Sequence, residues 1–289
     1  MDKTILVIGA TGTMGEPVAR RLKKDGFQVR VMTRDSNKAQ EVFGETFDIA
    51  IGDIMDASSL EEPLYGCYGV YISTAPPEKE QMKVNNVVSI ALKKELQRIT
   101  YVSWPNATED NAWFPPVKEK LLAEEIIRES GIPYTIFCPT TAMENIPMFV
   151  QGNRAAVIGK QARPYHWLAA DDFGRTVSAS YGLEETANKR LFIYGPEAIL
   201  THEAVRRYCS LFHPEITKIS TMPYWLVKIM ATMMRSKEMK FGSSLLAFCE
   251  KVDEGGDPAE ANHILGAPKT TLDEWLKQRK VKSGAPSVG

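Results

Sequence analysis

The run Gly9-Ala10-Thr11-Gly12-Thr13-Met14-Gly15 constrains this chain more than any other stretch. It follows the apolar segment Thr4–Ile8 without a spacer and leads straight into a helical pattern over 14–24. A strand that must become a helix within a few residues uses each glycine differently. Gly9 turns the chain tightly, Gly12 lets backbone N–H groups approach a pyrophosphate, and Gly15 lets the helix sit close to the strand. The positive end of the helix then meets the phosphates. Thr11 and Thr13 add hydroxyl donors. The spacing alone is weak, but a strand before it and a helix after it make it a dinucleotide-binding fingerprint.

The pattern that begins there repeats. Further strands are expected at 28–32, Asp48–Ile51, Gly69–Ile72, Arg98–Val102 and 134–138, with helices at 14–24, 37–43, 82–94 and 118–129. The strand segments are too uniformly apolar to have one wet face, so they read as buried on both sides. Strands alternating with helices imply a parallel sheet covered on both faces. The fold class is α/β: a Rossmann-type doubly wound parallel sheet with a smaller C-terminal α/β substrate lobe. Residues 1–150 are assigned to the sheet domain, 151–282 to the lobe and 283–289 to a frayed tail. In the lobe a strand is expected at 191–194. Helices are expected at Thr201–Phe212, 224–234 and 245–252, with a last one starting near Thr271.

Composition excludes several classes. Thirty-five Lys and Arg against 36 Asp and Glu leave no electrostatic footprint for nucleic acid and no polybasic membrane surface. Cys67, Cys138, Cys209 and Cys249 are far apart, and the histidines show no ligand spacing, so neither a disulfide framework nor a metal site is expected. Free thiols and the absence of a signal-peptide pattern point to the cytoplasm.

The carboxyl ends of the strands carry the ligand-facing candidates. Arg34 ends the second strand, where an NAD-selective site places an acid; a guanidinium there forks onto a 2′-phosphate. NADP(H) is therefore favoured over NAD(H), with Lys38 adding charge, although the adjacent Asp35 could accept ribose hydroxyls. Asp53 could accept from an adenine amino group, or could serve a cap or turn. Ser73, Thr74 and Ala75 follow the fourth strand and should line the cofactor, as should Pro139, Thr140 and Thr141 after the sixth.

Larger segments extend the picture: VRVMTR ending at Arg34, IGD at 51–53, TYVSWPNA at 100–107, KEKLLAEEIIRESGIPYTIFCP at 118–139 and TAMEN at 141–145. ADDFGR at 170–175, FIYGPEAILTHEAV at 192–205 and LGAPKTTLDEWL at 265–276 complete them. Across nearly its whole length the chain resembles the NmrA-like family of atypical short-chain dehydrogenases. The resemblance implies an NADPH-dependent oxidoreductase that reduces a small apolar or aromatic acceptor such as a quinone, enone or imine. The alternative it implies, found among such relatives, is a noncatalytic NADP(H) sensor acting through a protein partner.

By that resemblance Lys120 occupies the active-site lysine position. Ordinary short-chain dehydrogenases place a Tyr four residues earlier, on the same helix face; here that residue is Pro116. Lys120 is thus a candidate for holding nicotinamide ribose hydroxyls or donating a proton, set against an ion pair with Glu124 at i+4. Ser103, after the fifth strand, could donate to a substrate oxygen or merely end the strand. Cys138, without a histidine partner, reads as a packing residue. The one Tyr-x-x-x-Lys spacing, Tyr224 to Lys228, lies in the C-terminal lobe and is assigned no catalytic role. His166 is weighed as a proton donor against a polar rim residue. The methionines and aromatics of 222–248 suit either an apolar pocket or a helix core.

Overall fold

The computed structural model describes residues 3–74 and 77–282. The expectations for Ala75 and for the 283–289 tail lie outside them. In chain order the elements are β1 (Thr4–Ile8), α1 (Gly15–Lys24), β2 (Gln28–Thr33), α2 (Ser36–Phe43), β3 (Asp48–Ile51), β4 (Gly69–Ile72), α3 (Glu80–Lys93), β5 (Arg98–Val102), α4 (Pro115–Glu129) and β6 (Tyr134–Pro139). Next come β7 (Val150–Gln151), β8 (Arg154–Ile158), β9 (Pro164–His166), α5 (Ala170–Ser180), β10 (Lys189–Ile193), β11 (Ala198–Leu200), α6 (Thr201–Phe212) and β12 (Ile219–Met222). The chain continues through α7 (Tyr224–Met233), α8 (Lys237–Cys249), α9 (Ala259–Leu265) and α10 (Leu272–Lys282).

Two compact units share these elements. The first comprises Met1–Pro139, Ala170–Ile193 and Gly255–Ala267; the second comprises Thr140–Ala169, Tyr194–Glu254 and Pro268–Gly289. The single cut expected at residue 150 is therefore replaced by an interleaved division. The reason is α5 and β10. The strand β10 pairs in parallel with β6, Leu191 opposite Phe137, and so belongs to the first sheet. The helix α5 packs on α1 so closely that a Cβ at Gly174 would lie 2.8 Å from the Pro17 carbonyl oxygen.

The first unit is a seven-stranded sheet in the order β10-β6-β5-β4-β1-β2-β3, every pair parallel. All residues of β4 and β5 are buried, as two covered faces require. Leu6, Ile72, Val84, Val88, Ile99 and Ile136 pack on one another between the sheet and its helices. In α1 the buried residues Val18, Ala19 and Leu22 fall on one side of the helix. The strand order reverses between β1 and β4, which opens a crevice beyond their carboxyl ends.

The second unit is built from short pieces. The strand β8 pairs antiparallel with β7 and parallel with β12, and β9 pairs antiparallel with β11. Val157, Trp167, Tyr208, Trp275 and Leu276 fill its core. The helix α8 starts eight residues before the expected 245, with the Ser236 hydroxyl accepting from the Met239 N–H at 3.1 Å as its N-cap. Its polar first turn and the interior Gly242 hide it from an apolar-periodicity reading.

Candidate functional site

The loop between β1 and α1 explains its own glycines. Gly9 has φ +79°, and a Cβ there would lie 1.9 Å from the Ser73 carbonyl oxygen at the end of β4. A Cβ on Gly15 would lie 2.0 Å from the Gly9 carbonyl oxygen. Neither position tolerates a side chain, because each backbone abuts another. The Gly12 N–H folds back onto Gly9 O at 3.0 Å, and the N–H groups of Gly15 and Glu16 both donate to Gly12 O at 3.1 Å. Among the described residues, the N–H groups of Thr11, Thr13 and Met14 have no partner. No side chain caps α1 at Met14. The loop therefore presents unsatisfied donors at the positive end of a helix, an arrangement complementary to an anion.

At the end of β2, Arg34 is exposed and has no hydrogen-bond or ion-pair partner among the described residues. Its neighbour Asp35 is already employed. Asp35 is the N-cap of α2, and its Oδ1 accepts from the N–H groups of Asn37 at 3.0 Å and Lys38 at 3.2 Å. The acid that argued for ribose hydroxyls thus has a structural task, while the guanidinium is free for a ligand. Asp53 takes up a turn: its Oδ1 accepts from the Met55 N–H at 3.0 Å, and its own N–H donates to Ser59 Oγ at 2.9 Å. Its second carboxylate oxygen has no partner among the described residues.

Lys120 is held from outside its own helix. It is 2% exposed, and its ammonium donates to Glu80 Oε1 at 2.6 Å and to the Val102 carbonyl at 2.9 Å. The expected i+4 pair with Glu124 does not form. Glu80, wholly buried at the start of α3, also accepts from the Tyr101 hydroxyl at 2.9 Å and from the Thr74 hydroxyl. Burial pushes the Glu80 carboxyl up. The Lys120 ammonium and the hydrogen bonds from Lys120, Thr74 and Tyr101 outweigh that and hold it below the ordinary carboxylate value. The effect is a strut. Lys120 ties α4 to β5 and α3, and Glu80 ties α3 to Thr74 at the ligand end of β4.

Ser103 is equally occupied. It is fully buried, and its hydroxyl donates to Glu124 Oε1 at 2.5 Å. Glu124 also accepts from Arg128 and Arg190. The structure thus favours the strand-ending reading of Ser103 over substrate donation. Pro116, which stands where a tyrosine would precede Lys120 by one turn, lies in the first turn of α4, where a proline is tolerated. Cys138 is buried in β6, and burial pushes its thiol up to about 12. Pro139 closes that strand.

In the second unit Thr140 donates from Oγ1 to the His166 carbonyl at 2.5 Å, and the Thr141 carbonyl accepts from the Leu168 N–H at 2.8 Å. His166 Nδ1 lies 2.7 Å from Glu254 Oε2, and the same carboxylate accepts from the His166 N–H. This pair borders a cavity of about 370 Å³ lined by Arg163, Pro164, Tyr165, Tyr194, Val252 and Asp253. The Tyr224-Lys228 spacing is structural: the Tyr224 hydroxyl donates to Glu250 at 2.7 Å.

Glu80 and Glu254 are the site residues that sequence reading missed. Glu80 stands in an acidic and basic run, Glu78-Lys79-Glu80, where only its place in the first turn of a helix could have singled it out. Glu254 meets His166 from 88 residues away, a separation that no local pattern reports. Among the described residues no group of His, Cys, Asp or Glu could hold a metal ion.

The family model described as NmrA-like family matches residues 1–276. The chain belongs to the NmrA-like family. It is 22% identical over 275 residues to the photosystem II assembly factor Ycf39 of Trieres chinensis, covering 88% of this chain and 83% of that one. It is 26% identical over 203 residues to the NAD(P)H azoreductase of Xenophilus azovorans, covering 68% and 69%. Among solved structures, the NADPH-dependent quinone oxidoreductase QOR2 of Escherichia coli, complexed with NADPH, superposes with a TM-score of 0.75 at 19% identity, covering 95% of this chain and 99% of that one. These likenesses carry the Rossmann-type fold.

Proposed function

We propose that the chain binds NADP(H) in its first unit and uses it to reduce a small apolar or aromatic acceptor such as a quinone, enone or imine. The observation that carries the reading is the glycine loop, whose backbone contacts leave no room for a Cβ at Gly9 or Gly15 and whose N–H donors at Thr11, Thr13 and Met14 are open. A turn that merely tolerated glycine would not need all of this. These donors hold the pyrophosphate, and Gly12 keeps its approach clear. Arg34, with Lys38 beside it, holds the 2′-phosphate; the free oxygen of Asp53 accepts from the adenine amino group. Ser73, Thr74 and Pro139 end strands on the ligand side of the sheet, with Thr74 set by Glu80 and Lys120. The bound nicotinamide would supply the hydride, which is the hard part of the chemistry. The proton comes from water, since Lys120 and Ser103 are buried and engaged with carboxylates.

The azoreductase and quinone oxidoreductase names among its relatives support a flat, conjugated acceptor. The test is consumption of NADPH, followed by the absorbance of the reduced nicotinamide, against a panel of quinones, enones, imines and azo compounds. Turnover above the blank supports the reading. Arg34→Ala should weaken NADPH binding about tenfold to a hundredfold, the worth of one charge-assisted contact, and leave NADH binding unchanged. Equal loss for both cofactors, or none, overturns the assignment of Arg34.

A second reading is a redox-state sensor acting through a protein partner. It is favoured by the burial of Lys120 and Ser103, and by the assembly-factor names among the relatives. Tight NADPH binding without turnover on any acceptor, together with a partner whose capture depends on the redox state of the nucleotide, would favour it over the reductase.

A further inference from the structure

The helix α7 is apolar on the side where solvent should make it polar. Val227 and Ala231 are buried, and they form the inward stripe. On the opposite side Trp225, Ile229 and Met233, spaced four residues apart, are 64%, 49% and 79% exposed, and Met234 at the end of the helix is 67% exposed. Three large apolar side chains in one exposed stripe, with Met234 exposed at the helix end, mark an interaction surface rather than ordinary scatter.

The charges around that stripe indicate what covers it. Lys228 borders it on α7, and Arg235, Lys237 and Lys240 follow within two turns at the start of α8. All four are exposed, and none has an ion-pair partner among the described residues. Residues 217–249 carry five basic residues against one acidic, within a chain whose total is −1. The near-neutral total therefore conceals a local positive excess beside an exposed tryptophan and two exposed methionines. A helix with an apolar side bearing Trp and flanking Lys and Arg is suited to lie in the headgroup region of an anionic bilayer, apolar side down and cations level with the headgroups.

We infer that the α7–α8 hairpin docks this protein on an anionic lipid surface. The overall charge, near zero, does not report this local excess. It concerns a peripheral contact; no described helix is long and apolar enough to cross a membrane. The inference does not depend on the NADP(H) reading.

The full chain is floated with vesicles of phosphatidylcholine alone and of phosphatidylcholine with phosphatidylserine. Co-flotation is expected with the second and not with the first, weakening as salt is raised. Brominated acyl chains should quench part of the tryptophan fluorescence, and Trp225→Phe should remove that quenching. The double change Ile229→Glu/Met233→Glu should abolish binding. The double change Lys237→Gln/Lys240→Gln should weaken it about 25-fold, roughly fivefold per charge. All of these positions are exposed, so the melting temperature should be unchanged and serves as the folding control.

Absence of serine-lipid-dependent binding overturns the inference, as does undiminished binding by the Ile229→Glu/Met233→Glu variant. Light scattering that shows a dimer dispersed by that variant also overturns it, assigning the stripe to a second copy of the chain.

Discussion

Replacing Lys120 by methionine separates a strut from a catalyst. The substitution keeps an unbranched side chain one atom shorter and removes the charge, leaving Glu80 wholly buried without the cation 2.6 Å from its Oε1. Removing one partner of a buried ion pair costs about 3–5 kcal/mol. Glu80 keeps the Tyr101 and Thr74 hydroxyls and has Lys83 at 3.9 Å, which places the cost near the lower end, about 3 kcal/mol. That corresponds to a fall in melting temperature of roughly 5 °C for a chain of 289 residues.

The pH dependence gives a second readout with a definite sign. In the wild type the Glu80 carboxyl lies below its ordinary value of 4.5, so its contribution is present above that pH and is lost only as pH falls through the lower folded value. Without Lys120, burial raises the carboxyl above its unfolded value. The variant should then be most stable in acid and lose stability as pH rises through the raised value. Its melting temperature should climb as pH falls from 8 towards about 5, where the Glu80 contribution in the wild type is level. Adding Glu80→Gln removes the uncompensated charge and should restore most of the loss. Thermal melts across pH on the three proteins decide it. A Lys120→Met protein within 1 kcal/mol of wild type, with a level profile, would refute the strut.

Other expectations follow from the same geometry. Gly15→Ala places a Cβ 2.0 Å from a backbone oxygen of the glycine loop and should abolish NADPH binding in a fluorescence titration; Gly242→Ala, a helix glycine with open space around it, should stabilise the fold by roughly 0.5–1 kcal/mol in denaturant melts. Glu203 is drawn down to about 2 by hydrogen bonds from Arg206 and Arg207. The three groups lie at the surface, Arg206 exposed and Glu203 and Arg207 about one-third so, and solvent screens them; Glu203→Gln should therefore cost about 1 kcal/mol at neutral pH, an effect confined to pH above the range between about 4.5 and 2. Burial holds the Cys67 thiol at about 11 and Cys138 at about 12, so at neutral pH neither should react with a thiol-directed alkylating reagent until the protein unfolds, as mass spectrometry of the labelled peptides would show.

What could be read in advance depended on range along the chain. The central strands are visible as strands because a parallel sheet buries both faces, so Leu6 and Val70 sit in short apolar runs followed by Gly9 and Ser73. The glycine loop is legible for the same reason: all of its constraints fall within seven consecutive residues. By contrast α5 carries Gly174, Thr176, Ser178 and Ser180, a composition that argues against a helix; Gly174 is there because α1 approaches it, a fact of packing and not of propensity. The strands of the second unit are two to five residues long and too short for their alternation to register.

Lys120 shows the same limit at the candidate site. An i+4 carboxylate at Glu124 is the partner a helix offers locally, yet the lysine reaches across 40 residues to Glu80, because the α4 side facing β5 is dry and only a carboxylate brought there by another helix can balance the charge. Glu124, relieved of Lys120, is held by Ser103 and two arginines. A proton donor needs a labile proton that can reach the acceptor, and each of these partners removes that freedom from the group it binds. Two buried carboxylates, Glu80 from α3 and Glu124 from α4, thus make Lys120 and Ser103 supports for the ends of β4 and β5. To a nucleotide the first unit offers a loop shaped by glycine and an arginine that no other side chain among the described residues holds. A reductase that takes its proton from water and a sensor that needs none would both be built on that foundation.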